Sequence, residues 1–527
     1  MKRWLVVAGV LLGGCTTPVS SEGDSGCAAA ACGSLDAGIS DAAGAAADAA
    51  VTPDAAQARD ASTTPDASVP PDAAVTPDAA ITPDAAVTPD AAASTPDAGP
   101  PPACVTPSGL GRAATWVRAN PMFISGLSVG LGAPNAAAVT DYFDLFHASA
   151  VHLWENGMPA EIVGWSDATN PRAWVSWTHF DGTSVANAQV LGGIPPPPGR
   201  IGYQVGDEPL DMGQLLAMYG GVTAVRAADP DALIILNFAD IDALDTLLAS
   251  AQQNADVDVF SYDRYNYSRD HYKVIGKVRE AALNSGKQYW RYLDAYRDIS
   301  DTGDTSLSDF RWDVFIGAAY GYTGHSWFLY QIDGSNQDLV PLLFDVKGDY
   351  ASTKTEKYAA VALLNQQLAH LGRTLSLLRS VDVRYFTALA LTRPEGTTGW
   401  TRGAGGDPYL ANIGNVPANT WRDAVVGTFK DDCEERYTVL QSVAHTQANF
   451  PNASDADTTF RLEFDFSAAT DVTLDRTAIV VLRPEGGEPA AVALTPQTAN
   501  TASVELTLPA GGALLFKYKN ARPMVRQ

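Results

Sequence analysis

Between residues 122 and 371, short apolar or aromatic runs alternate with amphipathic stretches. The runs are 122–129, 150–154, 173–177, 201–205, 233–238, 257–262, 288–293 and 325–330. Each is too short for a helix and rich in β-branched or aromatic residues, so the pattern predicts eight strands. The stretches between them repeat every three to four residues. In 272–285, Val274, Ile275, Val278, Ala281 and Ala282 share one face; in 353–371, Tyr358, Val361, Ala362, Asn365 and Leu368 do so. Eight strand–helix units in about 250 residues predict an α/β fold, a TIM (β/α)8 barrel over 104–378. The competing open sheet lacks a glycine-rich phosphate turn after the first run.

From about residue 381 the period drops to two. The runs 437–443, 460–466, 478–482 and 504–508 alternate and are separated by Gly, Pro, Asn and Asp, and 506–516 reads as two strands joined by a tight turn. An antiparallel β-sandwich domain is expected over 379–527. Its Asp431-Asp432 and Glu434-Glu435 fit a solvated turn better than a calcium site.

The first 103 residues follow neither pattern. Residues 1–15, MKRWLVVAGVLLGGC, have a basic start, a short apolar stretch and small residues before a cysteine. The stretch is too short to span a bilayer, and no later run reaches the ~20 apolar residues required. Residues 16–103 are mostly Ala, Asp, Pro, Thr and Ser, with Thr76-Pro77-Asp78-Ala79-Ala80 recurring at Thr82 and at Thr88. Proline every sixth residue opposes a helix, and no apolar face offsets the entropy of folding, so a disordered tether is expected. Its 88 residues would span roughly 50 Å as a flexible coil and about 270 Å fully stretched.

Charge changes the picture of partners. The chain carries 60 acids and 35 bases, a net charge of −25. That opposes nucleic acid or an anionic membrane surface as partner, leaving contact with a membrane only through the N-terminus. Of five cysteines, Cys15 closes the leader; Cys27, Cys32, Cys104 and Cys433 admit three pairings, one being Cys27–Cys32 with Cys104–Cys433. No Cys/His cluster has metal-ligand spacing, so neither a metal nor another cofactor is expected, and a monomer is assumed.

Polar residues gather just after the predicted strands: Glu155-Asn156, His179, Asp207-Glu208, Asp240, Asp263, Asp294, and Gln331 with Asp333. In a barrel those ends open on one face, where sites form. The sharpest segment is 201–209, IGYQVGDEP, an apolar strand ending in two acids and a proline. Two adjacent carboxyls in a poorly hydrated mouth should titrate apart, one rising towards a proton donor's range.

The leader's Leu12-Gly13-Gly14-Cys15 resembles a bacterial lipobox, which implies lipidation of Cys15; Thr16 in place of Asp then implies the outer membrane or cell surface. The barrel resembles the retaining (β/α)8 glycoside hydrolases of clan A, whose acid/base is a Glu ending the fourth strand, after an Asn and often before a Pro. Glu208 takes that place, with Asp207 where Asn is usual. The resemblance implies a poly- or oligosaccharide substrate and aromatic partners: Tyr262 or Tyr265 after the sixth strand, Trp327 on the eighth. It breaks at the seventh strand, where the clan's nucleophilic Glu is absent and 288–296, QYWRYLDAY, offers Asp294. Asp263 is the competing second carboxylate. A retaining pair needs its carboxyls ~5–5.5 Å apart and an inverting pair ~6.5–9.5 Å.

Trp154, Trp177, Trp290, Tyr296 and Tyr330 also lie near strand ends, where flat rings can stack on sugars; each equally suits core packing. His179 is a candidate sugar contact. The alternatives to a hydrolase are a catalytically silent glycan-binding lipoprotein and a structural envelope protein. Ion pairing of Asp263 or Asp294 with Arg264, Arg291 or Arg297 would favour both.

Overall fold

The computed structural model describes residues 104–129, 132–154, 158–178, 198–265, 267, 269–298, 305–334, 339–389, 392–403, 407–446 and 454–527. They belong to one compact unit, Ala93–Gln527. The leader with Cys15, the tether, Glu155-Asn156 and His179 lie outside the described residues.

All eight predicted runs are strands: β1 (Phe123–Val129), β2 (Val151–Leu153), β3 (Trp174–Thr178), β4 (Arg200–Val205), β5 (Leu233–Ala239), β6 (Val259–Asp263), β7 (Gln288–Asp294) and, after a short β8 (Tyr296–Asp298), β9 (Gly324–Ile332). Every barrel pairing is parallel, and β9 returns to β1 to close the ring. Helices form where the 3.6-residue pattern runs and caps permit. Met212–Ala228 starts on Asp211, whose carboxylate accepts the Gln214 N–H. Leu307–Tyr320 starts on a capping box of Ser306 and Asp309 and ends on Gly321 in the left-handed region, φ +86°.

The barrel interior changes character along the strands. Its lower end is apolar: Phe123, Val175, Ile201, Leu233, Ile235, Val259 and Trp290 cluster there, backed by Ala113 and Trp116 from helix Arg112–Ala119. Phe123 and Trp290 stack at 4.2 Å. One step higher the buried inward positions are polar: Ser125, His152, Gln204, Asn237, Ser261, Tyr292 and Ser326. Burying so many polar groups is tolerated only if they satisfy one another. Ser125 donates to Ser326 at 2.8 Å, and Tyr292 donates to Gln204 Oε1 at 2.6 Å. Burial drives the His152 imidazole down to about 3, keeping it neutral.

Downstream of the barrel stand a six-stranded and a four-stranded antiparallel sheet. Leu410, Phe460, Leu462 and Leu506 of one and Val426, Leu440, Leu514 and Phe516 of the other share one apolar cluster. The turn at 509–512 does not make a hairpin. Thr501–Leu508 pairs with Thr458–Asp465, whereas Ala513–Tyr518 pairs with Arg436–Ser442 in the other sheet. Alternation fixes the strands but leaves open which strand each pairs with.

The six-stranded sheet packs on the barrel. The apolar core beneath the helices runs on into Tyr385, Phe429, Tyr437 and Leu515, and Gln441 Nε2 donates to the Trp312 carbonyl at 3.0 Å. Cys104 and Cys433 form a disulfide across 329 residues, beside Arg118 on both oxygens of Asp432 at 2.7 Å. No helix among the described residues is long and apolar enough to cross a membrane.

Candidate active site

The site grows out of the end of β4. Gly206 takes φ +81°, where a Cβ would strike the Met218 side chain, so the turn requires glycine. Glu208 follows at φ +42°, a left-handed backbone that non-glycine residues rarely adopt and that is often found where function holds a residue in place. Its N–H bonds the Asn237 carbonyl at 3.2 Å, tying the turn to β5.

Three carboxyls meet above the polar layer. Asn237 Nδ2 donates to Asp207 Oδ1 at 2.8 Å and to Asp263 Oδ1 at 3.1 Å; Gln204 Nε2 donates to Asp207 Oδ1 at 3.0 Å. The Asp263 carboxyl is hydrogen-bonded to that of Glu208. A second carboxyl in such contact opposes ionisation of Asp263. Burial, reinforced by the charge of Glu208, pushes Asp207 up to about 7 and Asp263 well above the carboxylate range.

Asp294 ends β7. Its Oδ1 receives the Tyr296 N–H at 3.3 Å, its own N–H bonds Asp313 Oδ2 at 3.2 Å, and its charge acts on Tyr267. Two of the three guanidiniums considered as partners are engaged elsewhere: Arg291 pairs with buried Asp313, and Arg264 with Asp240 and Asp270.

The candidate aromatics divide by face. Tyr265 stacks on Phe328 with centroids 5.0 Å apart, and Tyr296 meets both rings edge-on at 5.2 and 5.1 Å. Trp154 lies 3.8 Å from Trp177 and 6.4 Å from Phe328. Together they form an aromatic arc at the mouth. Three others point away from it. Trp327 is fully buried on the outside of β9 and donates to Asn365 at 2.7 Å; Tyr262 faces His271 at 2.9 Å; Trp290 belongs to the barrel's lower end. Strand alternation is the reason. Trp327 sits between inward Ser326 and Phe328, and Tyr262 between inward Ser261 and Asp263. Tyr330 likewise turns outward and donates to Asp141 at 2.9 Å.

No protein-family model and no curated protein matches this chain. Among solved structures it is similar to an alpha-galactosidase from Saccharomyces cerevisiae with raffinose, at 8% identity over 76% of this chain and 98% of that one, with a TM-score of 0.41. It is similar to a cycloisomaltooligosaccharide glucanotransferase from Paenibacillus sp. complexed with cycloisomaltoheptaose: 10% identity, 76% and 85% covered, TM-score 0.46. An endo-beta-1,3-glucanase from Sorangium cellulosum matches at 16% identity over 45% of this chain and 97% of that one, with a TM-score of 0.30. The chemistry of the mouth rests on its own residues.

Four of those residues were not among the candidates read from the sequence: Gln204, Asn237, Ser326 and Phe328. A signal was present for two. Asn237 interrupts LIILNFA two residues after inward Ile235, and Gln204 interrupts IGYQV. A lone amide in an otherwise apolar strand must find a partner inside.

Proposed function

We propose that the chain is a glycoside hydrolase held at the bacterial cell surface by a lipid on Cys15 and the tether. Glu208 is its general acid/base and Asp263 its second carboxylate. The observation that carries this reading is the hydrogen-bond contact of Glu208 with Asp263, beside an aromatic arc that suits a sugar face. Transfer of the Asp263 proton to Glu208 along their hydrogen bond would make Glu208 the donor to a glycosidic oxygen and free Asp263 to attack or steady the anomeric carbon. Carboxyls in hydrogen-bond contact leave no room for a water between them, which supports Asp263 as nucleophile over an inverting arrangement. Asn237 and Gln204 orient Asp207, and Tyr292 orients Gln204 from below.

Paired variants test the choice of carboxylate. Asp263→Asn should reduce sugar release from a glycan panel by at least ~10²-fold, whereas Asp294→Asn should retain most of it. The reverse ranking would return the role to Asp294. One feature favours a silent glycan binder: the acid ending β7 is engaged with its own loop. Oligosaccharide binding with no released sugar over days would establish that reading.

A further inference from the structure

Exposure of one large side chain is ordinary on a folded surface and says little by itself. Trp421 is different because its backbone is strained as well. It is 47% exposed and takes φ +52°, a left-handed conformation that is an outlier for so bulky a residue. Among the described residues, the other non-glycines in that region are His147, Glu208 and Glu434, and Glu208 is the candidate acid/base. Such conformations persist only where the surroundings impose them.

The surroundings are explicit. Asn415, near the end of the strand Leu410–Val416, grips the residue after Trp421: its Nδ2 donates to the Arg422 carbonyl and its Oδ1 accepts the Arg422 N–H, each at 3.0 Å. On the other side, the Thr420 N–H and hydroxyl both donate to the Pro417 carbonyl, at 3.1 and 3.0 Å. The bonds on both sides hold the backbone that presents the indole at the surface. The ring has no aromatic, cationic or hydrogen-bonding partner among the described residues, and the half-buried Arg422 guanidinium beside it has no carboxylate partner among them.

Contacts around the loop place it relative to the mouth. Asp423 accepts the Tyr385 hydroxyl at 3.1 Å, and Tyr385 meets Tyr272 edge-on at 5.4 Å, in the first turn of the helix His271–Asn284 that follows β6. Across the four-stranded sheet, Val416 pairs with Thr459 and Thr459 with Thr507, close to the turn at 509–512. In that turn the Ala510 carbonyl accepts from Arg311, near the start of the helix Leu307–Tyr320 that follows β7 and β8. Helices begin where barrel strands end, so this end of the β-domain lies on the face where Glu208 and Asp263 open. The aromatic arc's Tyr265 and Tyr296 follow the same two strands, β6 and β7.

A flat ring without a protein partner, beside a guanidinium that donates and never accepts, matches a sugar whose C–H face stacks and whose hydroxyls accept. We propose that Trp421 is a second sugar-binding platform, outside the mouth, and that the ligand is a polysaccharide long enough to lie across both. The inference rests on the proposed function for its class of ligand and not for cleavage.

The test uses the full chain carrying Glu208→Gln, so that binding is read without cleavage, in native gels containing dextran, laminarin, xylan, galactomannan or hydroxyethylcellulose. Adding Trp421→Asn removes the ring and supplies a residue that tolerates left-handed backbone; Trp421→Gly repeats the removal, and Trp421→Tyr keeps a flat ring. On a polymer that retards the parent, Trp421→Asn and Trp421→Gly should raise the dissociation constant roughly fivefold or more, while Trp421→Tyr stays within about twofold. Circular dichroism and melting midpoints confirm the fold of each. The parent's constant retained without the ring, an equal loss in Trp421→Tyr, or no retardation by any polymer overturns the inference. If ring-dependent retardation appears but wild type releases no sugar from these polymers, the hydrolase reading fails and the platform stands. If wild type cleaves one of them through Glu208 while Trp421→Asn binds it as the parent does, the platform fails and the hydrolase reading stands.

Discussion

Asp207 sits beside Glu208 in a buried mouth, and its surroundings make its charge pH-dependent. In the fold, burial and the neighbouring Glu208 charge raise its carboxyl to about 7, while an unfolded aspartate ionises near ~3.9. Between those values the folded chain holds a proton that the unfolded chain has lost. Stability therefore falls as pH rises from about 4 to about 7 and levels off above, and Asp263 acts in the same direction. Asp207→Asn removes the Asp207 part. Its urea midpoint relative to wild type should climb across that window; a constant difference from pH 4 to 8 would show that Asp207 ionises normally. Tyr292→Phe probes the layer beneath. It should leave the fold intact but lower kcat more than it raises KM, because Gln204 loses the donor that holds it against Asp207.

At the scale of elements, β7 is fixed from outside the barrel. Arg291, fully buried, pairs with Asp313 on helix Leu307–Tyr320, and the second oxygen of Asp313 accepts the Asp294 N–H. Removing one partner leaves an uncompensated buried charge, so Asp313→Asn should cost about 3–5 kcal/mol in urea unfolding. A loss under about 1 kcal/mol would mean that water or another group compensates Arg291.

The elements themselves were legible, because short strands between amphipathic helices leave a strong two-period signal. The distance across the ring was not. Asp263 and Asp294 both end strands in inward positions, and only the fold shows the Asp263 carboxyl bonded to that of Glu208 and the Asp294 carboxyl accepting from its own loop. The facing of single rings was legible only through alternation. Tyr262 and Trp327 flank inward neighbours and so turn outward, a parity that the attraction of aromatic residues at strand ends conceals. Asn237 announced itself as an amide in an apolar run, yet which carboxyls it would bridge depends on β4 and β6 lying on either side of β5.

For the whole molecule, the barrel and the six-stranded sheet share one core, and the chain is bolted across that junction by Cys104–Cys433. Replacing both cysteines with serine should lower stability by about 2–4 kcal/mol, read as a reduced denaturation midpoint under oxidising conditions, and should bring the wild type plus reductant to the same value. No change would show that the Arg118–Asp432 bridge and the shared core suffice. The site itself lies at the strands' C-terminal ends, remote from this junction's disulfide in sequence and supported by its own polar layer, so turnover should survive the loss of the bond at temperatures where the variant remains folded.

Under the proposed hydrolase function, turnover depends on Glu208 as the proton donor. The most direct test is the rate of sugar release by Glu208→Gln against wild type on a panel of cationic and neutral glycans, with circular dichroism confirming the fold of both. Glutamine keeps the shape and removes the transferable proton. The rate should fall by roughly 10²–10⁴-fold on whichever glycan the wild type cleaves. A Glu208→Gln variant that cleaves that glycan at the wild-type rate would contradict Glu208 as donor.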